Sequence, residues 1–372
     1  IKKLGVEIKR DGENRIIVKG KGLFSLKQPD DILDVGNSGT TIRILSGVLA
    51  AHEFNSVITG DNSIKKRPMN RIMKPLTMMG ANIGSREGGF APLSIEGGSL
   101  KGIKYELPVP SAQVKSSILL AGIMAEGWTI VVEKKKSRDH TERMLKYLEA
   151  GIKVADGIIT IEGREGMGGG EIIIPGDFST ASFYIAAALI VPGSEIKIKK
   201  VGINPTRTGL LSILRSMGAE IKLEDEKIVN EEPIADIIVK YSELRNVEIK
   251  VKDIPKFIDE IPVLSVIASQ AEKRFEIKGA EELRVKESDR IKSLIEGFRR
   301  MGVEVDEYDD GFGFEGKTGL KGGNINTYGD HRIAMAFAVA SLVAEEKTII
   351  QDSECVSVSC PNFFKTLKIL SR

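Results

Sequence analysis

The residues best able to do chemistry stand at helix openings. Asn37-Ser-Gly-Thr-Thr-Ile-Arg43, Ser111-Ala-Gln-Val-Lys-Ser-Ser117 and Gly329-Asp-His-Arg-Ile-Ala334 each set hydroxyl, amide or basic groups just before an apolar run. Unpaired N–H groups and the positive end of the helix dipole gather there, which is the chemistry of an anion site. Arg43 falls in a first turn, where a cation opposes the dipole, so it needs an acid or an anion beside it. Lys65-Lys-Arg-Pro68 puts three cations ahead of another helix, with Pro68 at or near its first position. Ser111, Gln113 and Lys115 together suit a phosphate monoester; a serine cap with an exposed lysine is the plainer alternative. Ser137-Arg-Asp-His-Thr-Glu142 opens a further helix, with Asp139 or Thr141 as its cap. Asp259-Glu260 reads as ordinary capping unless another charge converges on it. Lys286-Glu-Ser-Asp-Arg290 places Lys286 and Arg290 as i,i+4 neighbours on one face, with Glu287 beside them. Asp330-His-Arg332 precedes a helix of Ala, Met and Val, and a buried helix begins that way only where its end faces a polar site. Several such openings in one chain imply ligands with several phosphates and carboxylates.

Strand-like and helix-like segments alternate and position these groups. Residues 7–18, 171–174, 195–199 and 248–251 read as strands. Helices are expected over 41–51, 71–79, 114–125, 142–149, 181–190, 209–217, 261–271, 289–301 and 333–343. A repeat is visible. Met79-Gly-Ala-Asn-Ile83, Ala150-Gly-Ile-Lys-Val154, Met217-Gly-Ala-Glu-Ile221 and Met301-Gly-Val-Glu-Val305 each end a helix on glycine and start a β-branched strand. A second helix type, rich in small residues, follows a polar loop. The unit of two helices with several strands recurs roughly five times. The best domain boundary is the glycine-rich run 163–170 or Pro175-Gly-Asp177 just after it, giving domains 1–174 and 175–372 of similar composition.

Composition narrows the function classes. The 54 basic and 52 acidic residues leave a net charge of +2, so no general field attracts nucleic acid or a membrane surface. Aromatic residues, at 5%, are too few for base-stacking platforms. Cys355 and Cys360 make no disulfide framework, His52, His140 and His331 lack metal-ligand spacing, and a reducing cytoplasm is the expected compartment. No signal-peptide pattern opens the sequence, and its apolar stretches are too short to span a bilayer. Gly311-Phe-Gly-Phe-Glu-Gly-Lys-Thr318 matches a P-loop literally, but Gly319-Leu-Lys-Gly-Gly323 cannot hold the helix a P-loop requires. A glycine-rich β-hairpin is the better reading. Lys134-Lys-Lys136 alone is a solvated turn.

Together these strings resemble the 3-phosphoshikimate 1-carboxyvinyltransferases, or EPSP synthases, of the enolpyruvyl transferase superfamily. The matching strings are Gly36-Asn-Ser-Gly-Thr-Thr41, Arg67-Pro-Met69, Ser111-Ala-Gln-Val-Lys-Ser-Ser117, Arg138-Asp-His-Thr-Glu142, Pro175-Gly-Asp177, Leu283-Arg-Val-Lys-Glu-Ser-Asp-Arg290, Gly329-Asp-His-Arg-Ile-Ala-Met335 and Cys360-Pro-Asn-Phe-Phe364. They run in family order over essentially the whole chain. The resemblance implies an α/β (α+β) fold: a two-domain inside-out α/β barrel of repeated units, with the active site between domains that close on substrate. It implies transfer of the enolpyruvyl group of phosphoenolpyruvate to the 5-hydroxyl of shikimate 3-phosphate. The reaction passes through a tetrahedral intermediate, releases phosphate and uses no metal or organic cofactor. By motif position, Ser111, Ala112, Gln113, Ser137, Arg138, Asp259 and Lys286 would hold shikimate 3-phosphate. Asn37, Gly39, Arg67, Gln113, Arg290 and Arg332 would hold phosphoenolpyruvate. Asp259 would take the 5-hydroxyl proton, and Glu287 would be the acid near the methylene carbon. The polyanionic substrates explain the clustered Arg and Lys. A monomer is expected, with no nucleic-acid or membrane partner.

One departure stands out. The family opens with a segment carrying a Pro-Gly-Asp-Lys-Ser-type motif, and Pro175-Gly-Asp-Phe-Ser179 lacks its lysine. The expectation is that about one repeat, near 60 residues, is missing ahead of Ile1, and that this polypeptide alone is inactive or nearly so. Two other readings compete. UDP-N-acetylglucosamine enolpyruvyl transferase usually uses a mobile-loop cysteine in its first domain, and no cysteine precedes Cys355. A non-catalytic phospho-ligand-binding protein is the other.

Overall fold

The computed structural model describes residues 1–163 and 166–371. The chain divides into two compact units, Ile1–Ile172 and Ile173–Arg372. Residues 164 and 165 of the glycine-rich run lie outside the described residues.

The first unit opens with an antiparallel hairpin, β1 (Glu7–Asp11) and β2 (Arg15–Lys19). The single strand expected over 7–18 is thus two, because Gly12 takes a positive φ of 71° and turns the chain. Two full repeats follow. The first is β3 (Leu33–Asp34), α1 (Gly39–Ala50), β4 (Asn55–Thr59), α2 (Asn70–Met78), β5 (Asn82–Arg86) and β6 (Phe90–Glu96). The second is β7 (Lys104–Glu106), α3 (Ala112–Met124), β8 (Trp128–Val132), α4 (His140–Tyr147), β9 (Ile152–Ala155) and β10 (Ile158–Glu162). Their sheets share one order, β3-β4-β6-β5 and β7-β8-β10-β9, with a parallel first pair and antiparallel pairs thereafter. Trp128 begins β8, 45% exposed, with the Lys153 ammonium 5.9 Å from its ring centroid.

The second unit repeats the theme: α5 (Phe178–Ile190), β11 (Glu195–Gly202), α6 (Gly209–Ser216), β12 (Ile221–Val229) and β13 (Glu232–Lys240). Then come α7 (Ile261–Gln270), β14 (Arg274–Ile277), α8 (Arg290–Arg300), β15 (Asp306–Tyr308) and β16 (Gly311–Glu315). The last elements are β17 (Asn324–Ile325), α9 (His331–Ala340), β18 (Ile349–Ile350) and α10 (Phe363–Leu370).

Sequence explains the two helix types. α3, α5, α7 and α9 are buried on nearly every face, as apolar all-round helices must be. α2, α4, α6 and α8 bury one stripe and end on the glycine step. Gly80, Gly151, Gly218 and Gly302 all take positive φ, between 60° and 113°, as a left-handed helix exit requires. The first five residues of the P-loop-like string form β16, which pairs with β14 and β15, so the hairpin reading holds.

Two expected strands do not form. Residues 171–174 join no sheet, with Ile173 and Ile174 exposed; Gly176 makes a single bridge to Val201. Residues 248–250 are irregular and Val251 starts a 3-10 turn; the nearest pairing is the Arg245–Glu272 bridge. A β-branched run without a ladder partner stays a loop.

Candidate active site

In the first unit, Ser38 caps α1, its hydroxyl accepting from the Thr41 amide at 3.1 Å. No acid occupies the first turn of α1 or α3, which leaves their N-terminal field unspent. Asn37 donates to Asp61 at 2.6 Å. Asp61 also accepts from the amides of Ser63 and Ile64 at 2.9 and 3.0 Å, tying the Asn37 loop to the turn that carries Arg67. Arg67 Nη2 donates to Ser63 Oγ at 2.9 Å. Gly39 lies under two guanidinium groups: a Cβ there would sit 2.9 Å from Arg67 Nη1 and 3.3 Å from Arg43 Nη1. Pro68 stands near the start of α2, two residues before its first helical residue, and bridges Phe90.

Ser111 caps α3 and accepts from the Val114 amide at 3.4 Å. Gln113 joins the two helix openings: its Oε1 accepts from Arg43 at 2.6 Å and its Nε2 donates to Thr40 at 2.9 Å. Where the sequence calls for an acid or an anion beside Arg43, an amide oxygen is one of its partners. Ala112, between Ser111 and Gln113, is the first helical residue of α3.

Lys115 corrects the sequence reading. It is neither an exposed lysine nor an anion ligand, because it is fully buried, 2.8 Å from Glu133 and 2.6 Å from Glu142. Glu133 turns its other oxygen to Ser137, accepting from the amide at 3.2 Å and also from the hydroxyl. Burial pushes the Glu142 carboxyl above its ordinary range, with Lys115 offsetting only part of the effect. Asp139 begins α4 without a side-chain cap bond; its carboxylate takes Arg143 at 2.9 Å instead, and Thr141 shares a 2.5 Å hydrogen bond with Ser116. Arg138, next to Ser137, is half-buried.

The second unit brings together every group expected there. Asp259 Oδ1 lies 3.3 Å from Lys286 Nζ and 3.6 Å from Arg290 Nη1. Arg332 Nη1 donates to the Asp259 carbonyl at 2.9 Å. Glu287 takes Arg290 Nη2 at 2.6 Å. Asp259-Glu260 is therefore no plain cap: Glu260 stands at the α7 opening with no cap bond, fully buried. It accepts from the Ser179 hydroxyl and faces Arg332 at 3.6 Å. Burial raises its carboxyl despite Arg332. Lys286 and Arg290 do not share a helix face, since α8 begins only at Arg290, with Asp289 as its cap; Asp259 is what joins them.

Asp330 anchors this cluster. It is fully buried, caps α9 by accepting the Arg332 amide at 2.9 Å, and takes Arg290 Nε at 2.8 Å and Ser288 Oγ at 3.1 Å. Burial opposes its charge, but Arg290 outweighs burial and holds the carboxyl below its usual range. Arg290 is 1% exposed, and its Nη1 has no hydrogen-bond partner among the described residues. The paired acids keep it charged more firmly than an ordinary arginine, against the effect of burial. A buried guanidinium N–H with no hydrogen-bond acceptor has the chemistry to take an anionic oxygen. Sequence reading missed Glu133, Asp61 and Arg207, which donates to Asp177 at 2.9 Å and Ser179 at 2.7 Å. Glu133 left one trace, an acid set directly after an apolar strand.

A chain of βαβαββ repeats in two units, with cations gathered at helix openings, has the architecture of an enolpyruvyl transferase. The enolpyruvyl transferase NikO from Streptomyces tendae shares it at a TM-score of 0.76, covering 99% of this chain and 84% of that one, at 14% identity, which concerns the fold alone. The chain belongs to the EPSP synthase (3-phosphoshikimate 1-carboxyvinyltransferase) family, whose model matches residues 1–367. The 3-phosphoshikimate 1-carboxyvinyltransferase of Brevibacillus brevis is 48% identical over 100% of this chain and 87% of its own length. That of Thermoanaerobacter sp. is 49% identical with the same coverage. An EPSP synthase structure from Acinetobacter baumannii matches with a TM-score of 0.88 at 43% identity, covering 99% of this chain and 85% of that one. Among the described residues no helix is long and apolar enough to cross a membrane.

Proposed function

We propose that this protein transfers the enolpyruvyl group of phosphoenolpyruvate to the 5-hydroxyl of shikimate 3-phosphate, in the shikimate route to aromatic amino acids. The observation that carries the reading is Asp259, whose carboxylate faces Lys286 and Arg290 and whose carbonyl takes Arg332, in a chain of this family. Asp259 takes the 5-hydroxyl proton as the oxygen bonds to C2 of phosphoenolpyruvate. Glu287 delivers a proton to the methylene carbon, giving a tetrahedral intermediate. Loss of phosphate and of one methyl proton then restores the double bond.

The cations divide the remaining work. Arg290 and Arg332, with Arg67, offset the charge of phosphoenolpyruvate, while Asn37 and Gly39 line its pocket. Ser111, the Ala112 amide, Ser137, Arg138 and Lys286 hold shikimate 3-phosphate, and Gln113 serves both substrates. The reading takes the enzyme to act as a monomer in the cytoplasm. The test is phosphate release with both substrates, first by the purified chain and then with the family's Pro-Gly-Asp-Lys-Ser-type segment supplied ahead of Ile1. Release should require both, and Asp259→Asn should lower kcat by about 100-fold or more. Binding of either substrate with no turnover under any condition would favour a non-catalytic ligand-binding role.

A further inference from the structure

Lys115, Glu133 and Ser137 form a buried line of which the roles above use only Ser137. Lys115 sits in the first turn of α3, directly after the Ser111–Gln113 stretch. Glu133 follows β8, and Ser137 lies in the loop leading to α4. The Lys115 ammonium therefore ties together two segments that carry proposed shikimate 3-phosphate ligands. Stability does not call for such a device: well-packed apolar side chains replace buried ion pairs at little cost or with gain.

The hydrogen bonds along the line give it a direction. A serine hydroxyl has one proton and two lone pairs. Ser137 donates that proton to Glu133 Oε1, which the Ser137 amide also reaches at 3.2 Å. Glu133 Oε2 is in turn fixed by Lys115 at 2.8 Å. Only the lone pairs of Ser137 remain for a ligand.

We infer that Glu133, locked by Lys115, is a positioning residue that makes Ser137 an acceptor toward shikimate 3-phosphate. This rests on the function proposed above. Ser137 then meets the ligand at a donor, a ring hydroxyl or a P–OH. The ionised phosphate oxygens are left to N–H donors such as the Ala112 amide, Gln113 and Arg138. Glu133 thus contributes to selection of the ligand without touching it.

A double-mutant cycle read by calorimetric titration with shikimate 3-phosphate tests this, using the native chain, Glu133→Gln, Ser137→Ala and the double variant. The amide can turn its NH2 toward Ser137 and release the hydroxyl from its acceptor role. Glu133→Gln should weaken binding by about tenfold with Ser137 present and by less than about twofold once Ser137 is alanine. The affinity for phosphoenolpyruvate should stay within about twofold throughout. Equal weakening in both backgrounds, or equal weakening for both substrates, would overturn the inference. Should Glu133→Gln not fold, Glu133→Asp, too short to reach Ser137, carries the same cycle. A native chain that binds no shikimate 3-phosphate defeats the functional reading and this inference together. Native binding without coupling in the cycle defeats the inference alone.

Discussion

At the scale of single residues, Asp330 and Arg290 carry the highest stakes. Both are buried, and the carboxylate serves as ion-pair partner and helix cap at once. Asp330→Asn keeps the cap, since asparagine caps well, and removes the charge that balances Arg290. Leaving a buried charge with no partner costs about 3–5 kcal/mol, and Glu287 and Asp259 still face Arg290, so denaturant unfolding at neutral pH should show a loss below that range. The pH dependence has a defined sign. The Asp330 carboxyl is held below its ordinary value of 3.8 in the folded state, so its contribution is present above that value and lost as pH falls through the folded one. The gap between native and variant should therefore narrow in acid. Gly39 gives a second test. A methyl group there would sit 2.9 Å from Arg67 Nη1, so Gly39→Ala must push the guanidinium aside. The KM for phosphoenolpyruvate should rise roughly tenfold, with a smaller change for shikimate 3-phosphate, as steady-state kinetics would report. The residue types at these positions are legible in the sequence; their pairing is not. Arg290 and Asp330 stand 40 residues apart, and no periodicity links them. Lys115 misleads because local sequence does not reveal whether a first-turn lysine points to solvent or to Glu133.

At the scale of elements, the site depends on how closely α1 and α3 pack. Gly47 of α1 faces the Ser117 carbonyl, and an added Cβ would lie 2.1 Å from that oxygen. Gly47→Ala should destabilise the first unit by about 1–3 kcal/mol, seen as a lower thermal midpoint, because overpacking forces the helices apart. The same shift would separate Arg43 and Thr40 from Gln113, so shikimate 3-phosphate binding should weaken in the folded variant. Helices are the most legible elements. All nine expected helices form, with small shifts at their ends, since glycine exits and polar openings are local signals. Strands are less so. The runs at 171–174 and 248–251 have the right residue types, but a strand exists only through a partner elsewhere in the chain, and neither run has a ladder partner among the described residues. The helix caps show the same divide. Ser38, Ser111, Asp289 and Asp330 cap as their types suggest, whereas Asp139 and Glu260 turn to arginine and serine partners.

At the scale of the whole molecule, each unit has a core of its own, one built around α1 and α3, the other around α5, α7 and α9. The recurring Met-Gly step makes the repeat legible from residue order alone, because the left-handed helix exit fixes glycine at one place in each copy that carries it. Trp128 is the single tryptophan of the chain, and it is half-exposed on β8. Tryptophan emission is thus a light carried by one unit alone: it reports melting of Ile1–Ile172, while calorimetry registers both units. Fluorescence and calorimetric midpoints will coincide if the units melt as one. A calorimetric shoulder with no optical counterpart would give the second unit its own transition.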